Sequence, residues 1–357
     1  MTNKPATLRG VAESAGVSTA TVARVLKKQD VVSEDTRLRV EKALKKTGYR
    51  LNGVARGLRT NRTLTIGNFL RGSAAISFFI EIARGIEEEA IRNDYTVIML
   101  NPEGSHERER LGVERLIERR VDAMIFTPAQ YVGNIDIASA AGIPVVQVER
   151  ILNRPTSAVI VDNFSGCVQA IEHLVQLGHR RIGFIGGDKK YIQGSTGPIS
   201  LSVEEQRLAG YRQGLENAGL GYHEELVRLG PYISAEEPVT RYGREGMRHL
   251  LELKNPPTAV FATSDVLAAG ALQVAYQSGL RIPTDISIIG YDNSLGGFLS
   301  PALTTVSQPM RAMGICACQL ALAAIRGDNS PRTVTLRTEL QIRRVDRTDR
   351  CKKSRNK

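Results

Sequence analysis

The chain has 357 residues, an ordinary globular composition and a formal net charge of +11, so we expect two or three domains. Its four cysteines lack CxxC spacing, its five histidines form no HxxxH pair, and no apolar run reaches the ~18 residues that a membrane span needs. The N-terminus lacks the apolar core of a signal peptide. We therefore expect a cytoplasmic protein with reduced thiols, no metal and no cofactor.

Short helices are predicted from residue 7 to about residue 60. Apolar residues recur at helical spacing on both sides of Gly16, which breaks the first helix, and Ser18 can cap the second. A third helix is predicted from about Glu34 to Lys46 and ends at Gly48. Two short helices joined by a glycine-centred turn are typical of a helix-turn-helix, whose second helix enters the major groove of DNA.

The second predicted helix combines small outward side chains with one arginine. Thr19 and Ala20 can contact thymine methyl groups, and Arg24 can pair with guanine through two hydrogen bonds. An ordinary helical hairpin with a solvated polar face is the alternative. Residues 1–62 carry 14 basic and five acidic side chains. Because basic contacts to phosphate supply most non-specific nucleic-acid affinity, this charge favours DNA binding.

From Leu64 onward, β-branched runs alternate with helical patterns. Eight runs are continuously apolar, as parallel strands covered on both faces are: LTIGNFL, YTVIML, VDAMIF, IPVVQV, SAVIVD, RIGFIG, TAVFAT and ISIIGYD. Helices are predicted at residues 79–93, 107–119, 164–177, 204–218, 241–253, 265–278 and 311–326. This alternation implies doubly wound parallel sheets, and the number of strands suits two lobes better than one sheet.

The sequence of residues 7–58, from TLRGVAESAGVSTATVARVL to NGVARGL, resembles the headpiece of the LacI/GalR family of bacterial transcription regulators. Five later stretches resemble the effector domain of that family, in its usual order: VDNFSGCVQAIEHLVQLGHRRIGFIGG, RLAGY, PTAVFATSDVLAAGAL, GLRIPTDISIIGYDN and LTTVSQPMRAMG. The resemblance covers about Thr7 to Arg343. It implies an all-α helix-turn-helix headpiece and an α/β effector domain of two doubly wound parallel-sheet lobes, like periplasmic binding proteins.

The resemblance also implies a division of the chain and a set of DNA contacts. The segments are a helix-turn-helix headpiece (1–50), a hinge helix and linker (51–62), a two-lobed effector-binding and dimerisation domain (63–342) and a basic tail expected to be disordered (343–357). The matching DNA-binding positions are Ser18, Thr19, Ala20 and Arg24 on the recognition helix and Asn52, Arg56 and Leu58 on the hinge. Leu58 would act as an apolar wedge that kinks the duplex from the minor groove.

A small-molecule effector is expected between the lobes, at the carboxyl ends of the strands, where parallel sheets bind ligands. The matching candidates are Phe78, Phe79, Glu149, Arg150, Arg207, Tyr232, Asp265 and Gln308. The aromatic pair could stack on a sugar ring, Arg207 could clamp hydroxyls or a carboxylate, and Asp265 could accept from two hydroxyls. The structural alternatives are core packing for the aromatic pair, an ion pair for Arg207 and a helix cap for Asp265.

The charge of the effector stays open at this stage. A neutral sugar or sugar derivative is one possibility. The acidic residue that the family usually has after the first strand of the body is replaced by Arg71 and Gly72. With several basic side chains nearby, a sugar acid or a phosphorylated sugar is the other possibility.

The resemblance implies a sequence-specific transcription regulator, a repressor, whose affinity for operator DNA is controlled by the effector. A homodimer would bind a near-palindromic operator in the nucleoid, and the tail has no apolar heptads with which to assemble tetramers. The alternative is a ligand-binding protein or a sugar-acting enzyme on the same two-lobed fold. No catalytic residues are predicted, because the sequence has no P-loop, no GxSxG elbow and no GxGxxG opening a helix.

Overall fold

The computed structural model describes residues 6–26, 32–49, 62–70, 77–129, 131–188, 202–230 and 240–343. It divides into two compact units, Met1–Thr63 and Leu64–Lys357, which we call the headpiece and the body. The predicted hinge positions Asn52, Arg56 and Leu58, the effector candidate Tyr232 and the tail beyond Arg343 lie outside the described residues.

The described headpiece contains three helices, α1 (Leu8–Ala15), α2 (Thr19–Leu26) and α3 (Glu34–Thr47). Helix α1 ends at Gly16, whose φ of 64° is the left-handed conformation that glycine adopts most readily. The Thr7 hydroxyl caps its start by accepting from the backbone N–H of Gly10 at 3.1 Å. The three helices bury one small apolar core: Val11, Ala12, Ala15, Val22, Val25, Val40 and Ala43.

The described part of the body contains two six-stranded sheets. In lobe 1 the strands are β1 (Thr65–Leu70), β2 (Thr96–Leu100), β3 (Ala123–Thr127), β4 (Val145–Val148), β5 (Ser157–Val161) and β11 (Thr333–Leu336), in the order β11-β5-β4-β3-β1-β2. In lobe 2 they are β6 (Ile182–Gly187), β7 (Val227–Gly230), β8 (Ala259–Ala262), β9 (Ser287–Asp292), β10 (Thr304–Ser307) and β12 (Glu339–Gln341), in the order β12-β10-β9-β8-β6-β7. All neighbours pair in parallel except β12, which is antiparallel to β10.

Helices cover both faces of each sheet. Lobe 1 has α4 (Ser77–Arg92) and α11 (Met310–Ile325) on one face and α5 (His106–Glu118) and α6 (Val132–Ala140) on the other. Lobe 2 has α7 (Asn163–Gln176) and α8 (Val203–Asn217) on one face and α9 (Arg241–Glu252) and α10 (Asp265–Gln277) on the other. The predicted fold class is confirmed, although β7, β10, β11, β12 and α6 were not among the predicted elements. No helix of the described residues is long and apolar enough to cross a membrane.

Within the described residues the chain passes between the lobes three times, from β5 to α7, from β10 to α11 and from β11 to β12. The first and third crossovers are hydrogen-bonded to each other, because the N–H of Asp162 donates to the carbonyl of Leu336 at 3.0 Å and the Thr338 hydroxyl donates to the carbonyl of Asp162 at 3.4 Å. Short adjacent connections of this kind allow two lobes to open and close as units.

The helix pairs of the body pack through glycines. A Cβ atom on Gly85 of α4 would collide with the carbonyl oxygen of Arg311, and one on Gly314 of α11 would collide with that of Ile82. Gly243 of α9 lies in the same way against a carbonyl of α10. Glycine is required at these positions because the two backbones are closer than any side chain permits.

Gly314→Ala is therefore expected to destabilise the body. Because the colliding atom is backbone, α4 and α11 must separate, and overpacking of this kind costs about 1–3 kcal/mol or more. Gly133→Ala on α6 is the matched control, since its Cβ would meet nothing within 4 Å and alanine gains about 1 kcal/mol of helix propensity. Thermal unfolding should show a lowered midpoint for the first variant only, and equal midpoints would contradict the packing described.

Candidate DNA-binding helix and effector cleft

Helix α2 of the headpiece has an apolar inner face and a polar outer face. Val22 and Val25 are buried in the headpiece core. The Ser18 hydroxyl accepts from the backbone N–H of Thr21 at 3.1 Å and so caps the helix. Four predicted DNA contacts are exposed on the outer face: Ser18, Thr19, Ala20 and Arg24. A helix with small exposed residues in its first turn and an arginine one turn later can approach base edges closely.

In lobe 2, Asp265 is the first residue of α10, three positions after the end of β8, and is fully buried. Its carboxylate accepts from the backbone N–H groups of Leu295 at 3.0 Å and Gly296 at 2.7 Å, and from the Thr305 hydroxyl at 2.6 Å. Through these three hydrogen bonds, Asp265 fixes the loop between β9 and β10. The cap of α10 is instead Ser264, whose hydroxyl accepts from the N–H of Leu267 at 3.2 Å, so the helix-cap alternative for Asp265 is wrong.

Asp292 ends β9, at the same edge of the sheet, and was not among the predicted site residues. Its Oδ1 accepts from the N–H of Ser294 at 2.7 Å. Burial and the nearby carboxylate of Asp265 raise the pKa of Asp292. Asp292 has a φ of 91°, and Glu149, at the matching end of β4 in lobe 1, has a φ of 72°. Left-handed backbone at residues other than glycine is strained and is concentrated at functional sites.

Arg207 extends from α8 across the strand ends of lobe 2. It is buried, its Nε donates to Asn163 Oδ1 at 2.9 Å, and its Nη1 donates to the carbonyl oxygen of Thr263 at 2.9 Å. The guanidinium lies over the ring of Tyr291, 4.1 Å from its centroid. Arg207 is thus held rigidly by residues of α7, β9 and the segment after β8, which favours a fixed binding group.

The two aromatic candidates of lobe 1 belong mostly to its core. Phe78 and Phe79 open α4, are each 6% exposed and meet edge to face with their centroids 5.0 Å apart. They pack with residues of the strands and of α11. Contact with an effector stays a prediction for both.

Two buried side-chain amide atoms at the strand ends have no hydrogen-bond partner within the described ranges. One is Nδ2 of Asn68 on β1, whose Oδ1 accepts from the Thr127 hydroxyl at 3.3 Å. The other is Oε1 of Gln308, in the crossover between β10 and α11. Leaving such an atom unsatisfied costs about 1–3 kcal/mol, so a ligand that pairs with it gains affinity.

The remaining candidates, Glu149 and Arg150, form an ion-pair cluster with Glu204 of lobe 2. Arg150 donates to both carboxylate oxygens of Glu204, at 3.0 and 2.6 Å, and its Nε lies 2.9 Å from Glu149 Oε2. Burial alone would raise the pKa of Glu204, but Arg150 outweighs it and the pKa is lowered. Arg150 is therefore already neutralised and gives no support to an anionic effector.

The described residues contain no group of three or more His, Cys, Asp or Glu side chains that could hold a metal ion. Three cysteines of the body are present as free thiols, Cys167, Cys316 and Cys318. Burial raises the pKa of each, which disfavours the reactive thiolate.

A helix-turn-helix headpiece followed by a two-lobed body with polar strand ends defines a ligand-regulated DNA-binding protein. Residues 7–52 match the model of bacterial regulatory proteins of the lacI family, and residues 171–344 match a periplasmic binding protein-like domain. The chain is 33% identical over 345 residues to the HTH-type transcriptional repressor PurR of Actinobacillus pleuropneumoniae serotype 3 (strain JL03), covering 95% of this chain and 98% of PurR. It is 34% identical to the repressor CytR of Escherichia coli (strain K12), covering 91% of each.

Solved structures agree with these matches. The lac repressor dimer bound to operator and the anti-inducer ONPF has a TM-score of 0.78 at 29% identity, covering 96% of this chain and 99% of that one. The complex of the transcriptional regulator CelR with cellobiose has a TM-score of 0.70 at 31% identity, covering 96% and 100%. The chain belongs to the lacI family of bacterial regulatory proteins. It is a DNA-binding transcriptional repressor under effector control and not an enzyme, as the sequence predicted.

Proposed function

We propose that the effector of this repressor is a small neutral polyhydroxy molecule, a sugar or sugar derivative, bound between the strand ends of the two lobes. The observation that carries this proposal is the set of buried polar groups there: Asp292 and Arg207 in lobe 2, the unpaired Gln308 Oε1 in a crossover and the unpaired Asn68 Nδ2 in lobe 1. Carboxylate acceptors and guanidinium and amide donors suit hydroxyl groups, which both donate and accept.

The charges at the strand ends favour a neutral molecule over an anion. Arg150 is paired with two glutamates, and the buried carboxyl group of Asp292 lies near Arg207. An anion would have to displace these carboxylates or face them without compensation. The CelR structure was solved with cellobiose, a neutral sugar, which supports the same class of effector for this chain.

Calorimetric titration of the full chain with neutral sugars and the matching uronic acids and sugar phosphates tests this proposal. Binding of one or more neutral sugars, with the acidic forms weaker, is expected. Selective binding of acidic forms would contradict the neutral effector, and binding of no carbohydrate would contradict the proposed class.

We infer further that the repressor is a cytoplasmic, nucleoid-associated homodimer that binds a near-palindromic operator. Ile80 and Ile91 on α4 and Met99 on the edge strand β2 are exposed apolar side chains on consecutive elements of lobe 1. A twofold contact through this side would present two headpieces to two operator half-sites. Sedimentation at micromolar concentration should give the mass of two chains, and a monomer would contradict the pairing.

In this proposal the helix-turn-helix segment (1–50) reads the half-site, the hinge segment (51–62) also contacts DNA, and the effector acts in the two-lobed domain (63–342). The DNA contacts are Ser18, Thr19, Ala20 and Arg24 from α2 and Asn52, Arg56 and Leu58 from the hinge. The proposed effector contacts are Arg207, Gln308 and Asp292, together with Asn68, Phe78, Phe79 and Tyr232. Three further residues that the sequence indicated are left out of this proposed set, because their charged groups already pair within the protein: Glu149, Arg150 and Asp265.

A further inference from the structure

The ion-pair cluster of Arg150 connects the two lobes outside the three crossovers. Arg150 lies in the loop between β4 and β5, which belongs to lobe 1, and Glu204 lies in the first turn of α8, which belongs to lobe 2. The guanidinium meets the carboxylate through two parallel hydrogen bonds. This bidentate arrangement is the strongest geometry available to an arginine and a carboxylate, and it fixes their relative orientation.

The ion-pair cluster is largely buried and does not lie on the protein surface. The side chain of Glu204 is 2% exposed and that of Arg150 is 17% exposed. The first turn of α8 is held by a capping box, in which Ser202 Oγ accepts from the N–H of Glu205 and Glu205 accepts from the N–H of Ser202. The carboxylate of Glu204 therefore has a fixed position, close to the positive end of the helix dipole.

The same helix also carries an effector-cleft residue. Glu204 and Arg207 are three positions apart on α8, so they lie on the same side of that helix. Glu204 binds Arg150 of lobe 1, and Arg207 extends across the strand ends of lobe 2. A shift of α8 that accompanies effector binding at Arg207 would therefore change the geometry of the ion pair between Arg150 and Glu204.

We propose that Arg150 and Glu204 form an inter-lobe latch that holds the lobes closed and sets how much of the closed state is present before any effector binds. The two residues are positioning residues and not effector contacts. Breaking the latch shifts the lobes toward the open state, so an effector that prefers closed lobes must then supply the lost stabilisation itself. The inference rests on the proposed position of the effector between the lobes, but its test needs no effector.

The test uses the full chain without effector or DNA and compares Glu204→Gln and Arg150→Gln with the wild type. Hydrogen exchange is followed at the N–H groups of Asp162 and Gln308, which are hydrogen-bonded at the crossovers, and small-angle X-ray scattering reports the radius of gyration. Both variants should exchange about tenfold or more faster at these amides and have a larger radius of gyration, because each change removes the bidentate contact that joins the lobes and leaves only the pair of Arg150 with Glu149, or Glu149 alone, within lobe 1. The double variant should behave like either single variant, because both single changes remove the same interaction.

Asp136→Asn is the matched control. Arg154 lies in the same β4–β5 loop as Arg150 and holds Asp136 through two hydrogen bonds of 2.5 and 2.8 Å, but both residues belong to lobe 1. This variant should leave the exchange rates and the radius of gyration unchanged. The latch is overturned if Glu204→Gln behaves like the wild type, if the effects of the two single variants add, or if amides in the centre of β3 accelerate as much as those at the crossovers. Failure of neutral sugars to bind would overturn the proposed effector class and leave this result unaffected.

Discussion

Arg24→Ala is expected to lower affinity for the operator about 5- to 150-fold, which is ~1–3 kcal/mol, the value of one bidentate contact to a base. Arg24 is exposed on the outer face of α2, one turn after Thr19 and Ala20, where it can reach a guanine. Affinity for scrambled DNA should change much less, because one cation among many contributes little to non-specific binding. Titration of labelled duplexes at fixed salt measures both affinities.

Arg9→Ala is the control for Arg24→Ala, because it also removes one positive charge from the headpiece. Arg9 is an exposed arginine of α1 that pairs with Glu13 at 3.1 Å, on the same headpiece. Its removal should weaken binding to operator and scrambled DNA by similar small factors. If Arg24→Ala also weakened both equally, Arg24 would be a phosphate contact and α2 would not read bases through it.

Asp292→Asn is expected to weaken effector binding at least about tenfold at a pH above the raised pKa of Asp292, where it replaces a charged acceptor in a buried site and a hydrogen bond to a charged group is worth about 1.5–3 kcal/mol. The same change should stabilise the fold at alkaline pH. Burial and Asp265 raise the pKa of Asp292, so the folded protein binds more protons here than the unfolded chain above the ordinary aspartate pKa. Wild-type stability therefore falls as pH rises toward the raised pKa, and asparagine removes that loss.

Thermal unfolding between pH 5 and pH 9 and calorimetry with the identified effector measure the two effects. The midpoint of the variant should exceed that of the wild type by a margin that grows with pH, about 2–4 °C for each kcal/mol gained. Asp285→Asn is the control, because Asp285 pairs with the exposed Arg281 away from the strand ends. It should show no gain that grows with pH. A variant of Asp292 with wild-type effector affinity would exclude that residue from the site.

The fold could be predicted because most of its strands are covered on both faces and appear in the sequence as continuous apolar runs. Strands β11 and β12 were not predicted, because they are short edge strands whose side chains are partly exposed and so do not form continuous apolar runs. Helix α6 was not predicted because its apolar residues are spread around the helix and do not recur at helical spacing on one face. These strands also show what periodicity cannot give, since α11 and β11 come after β10 of lobe 2 in sequence but belong to lobe 1, and β12 then belongs to lobe 2.

The proposed effector contacts agree only in part with the residues that the sequence indicated. Arg207 and Gln308 could be placed because resemblance and strand ends indicate them. Asp292 was missed although it ends the apolar run ISIIGYD, and an acidic residue at that position was the available signal. Asn68 was not predicted either, because a single polar residue within an apolar strand does not by itself indicate a ligand contact. The contact between Arg150 and Glu204 could not be predicted, because the two residues are 54 positions apart and in different lobes, and an acidic residue in a first helical turn is common without any partner.

We propose that this repressor reads a specific DNA sequence through α2. Selection of bound duplexes from a random pool, by the full chain and by Arg24→Ala at the same salt concentration, tests it most directly. The wild type should select a shared sequence with twofold symmetry, and the variant should lose a guanine preference at matching positions of both half-sites. Recovery of no shared sequence, or of the same sequence by both proteins, would contradict it.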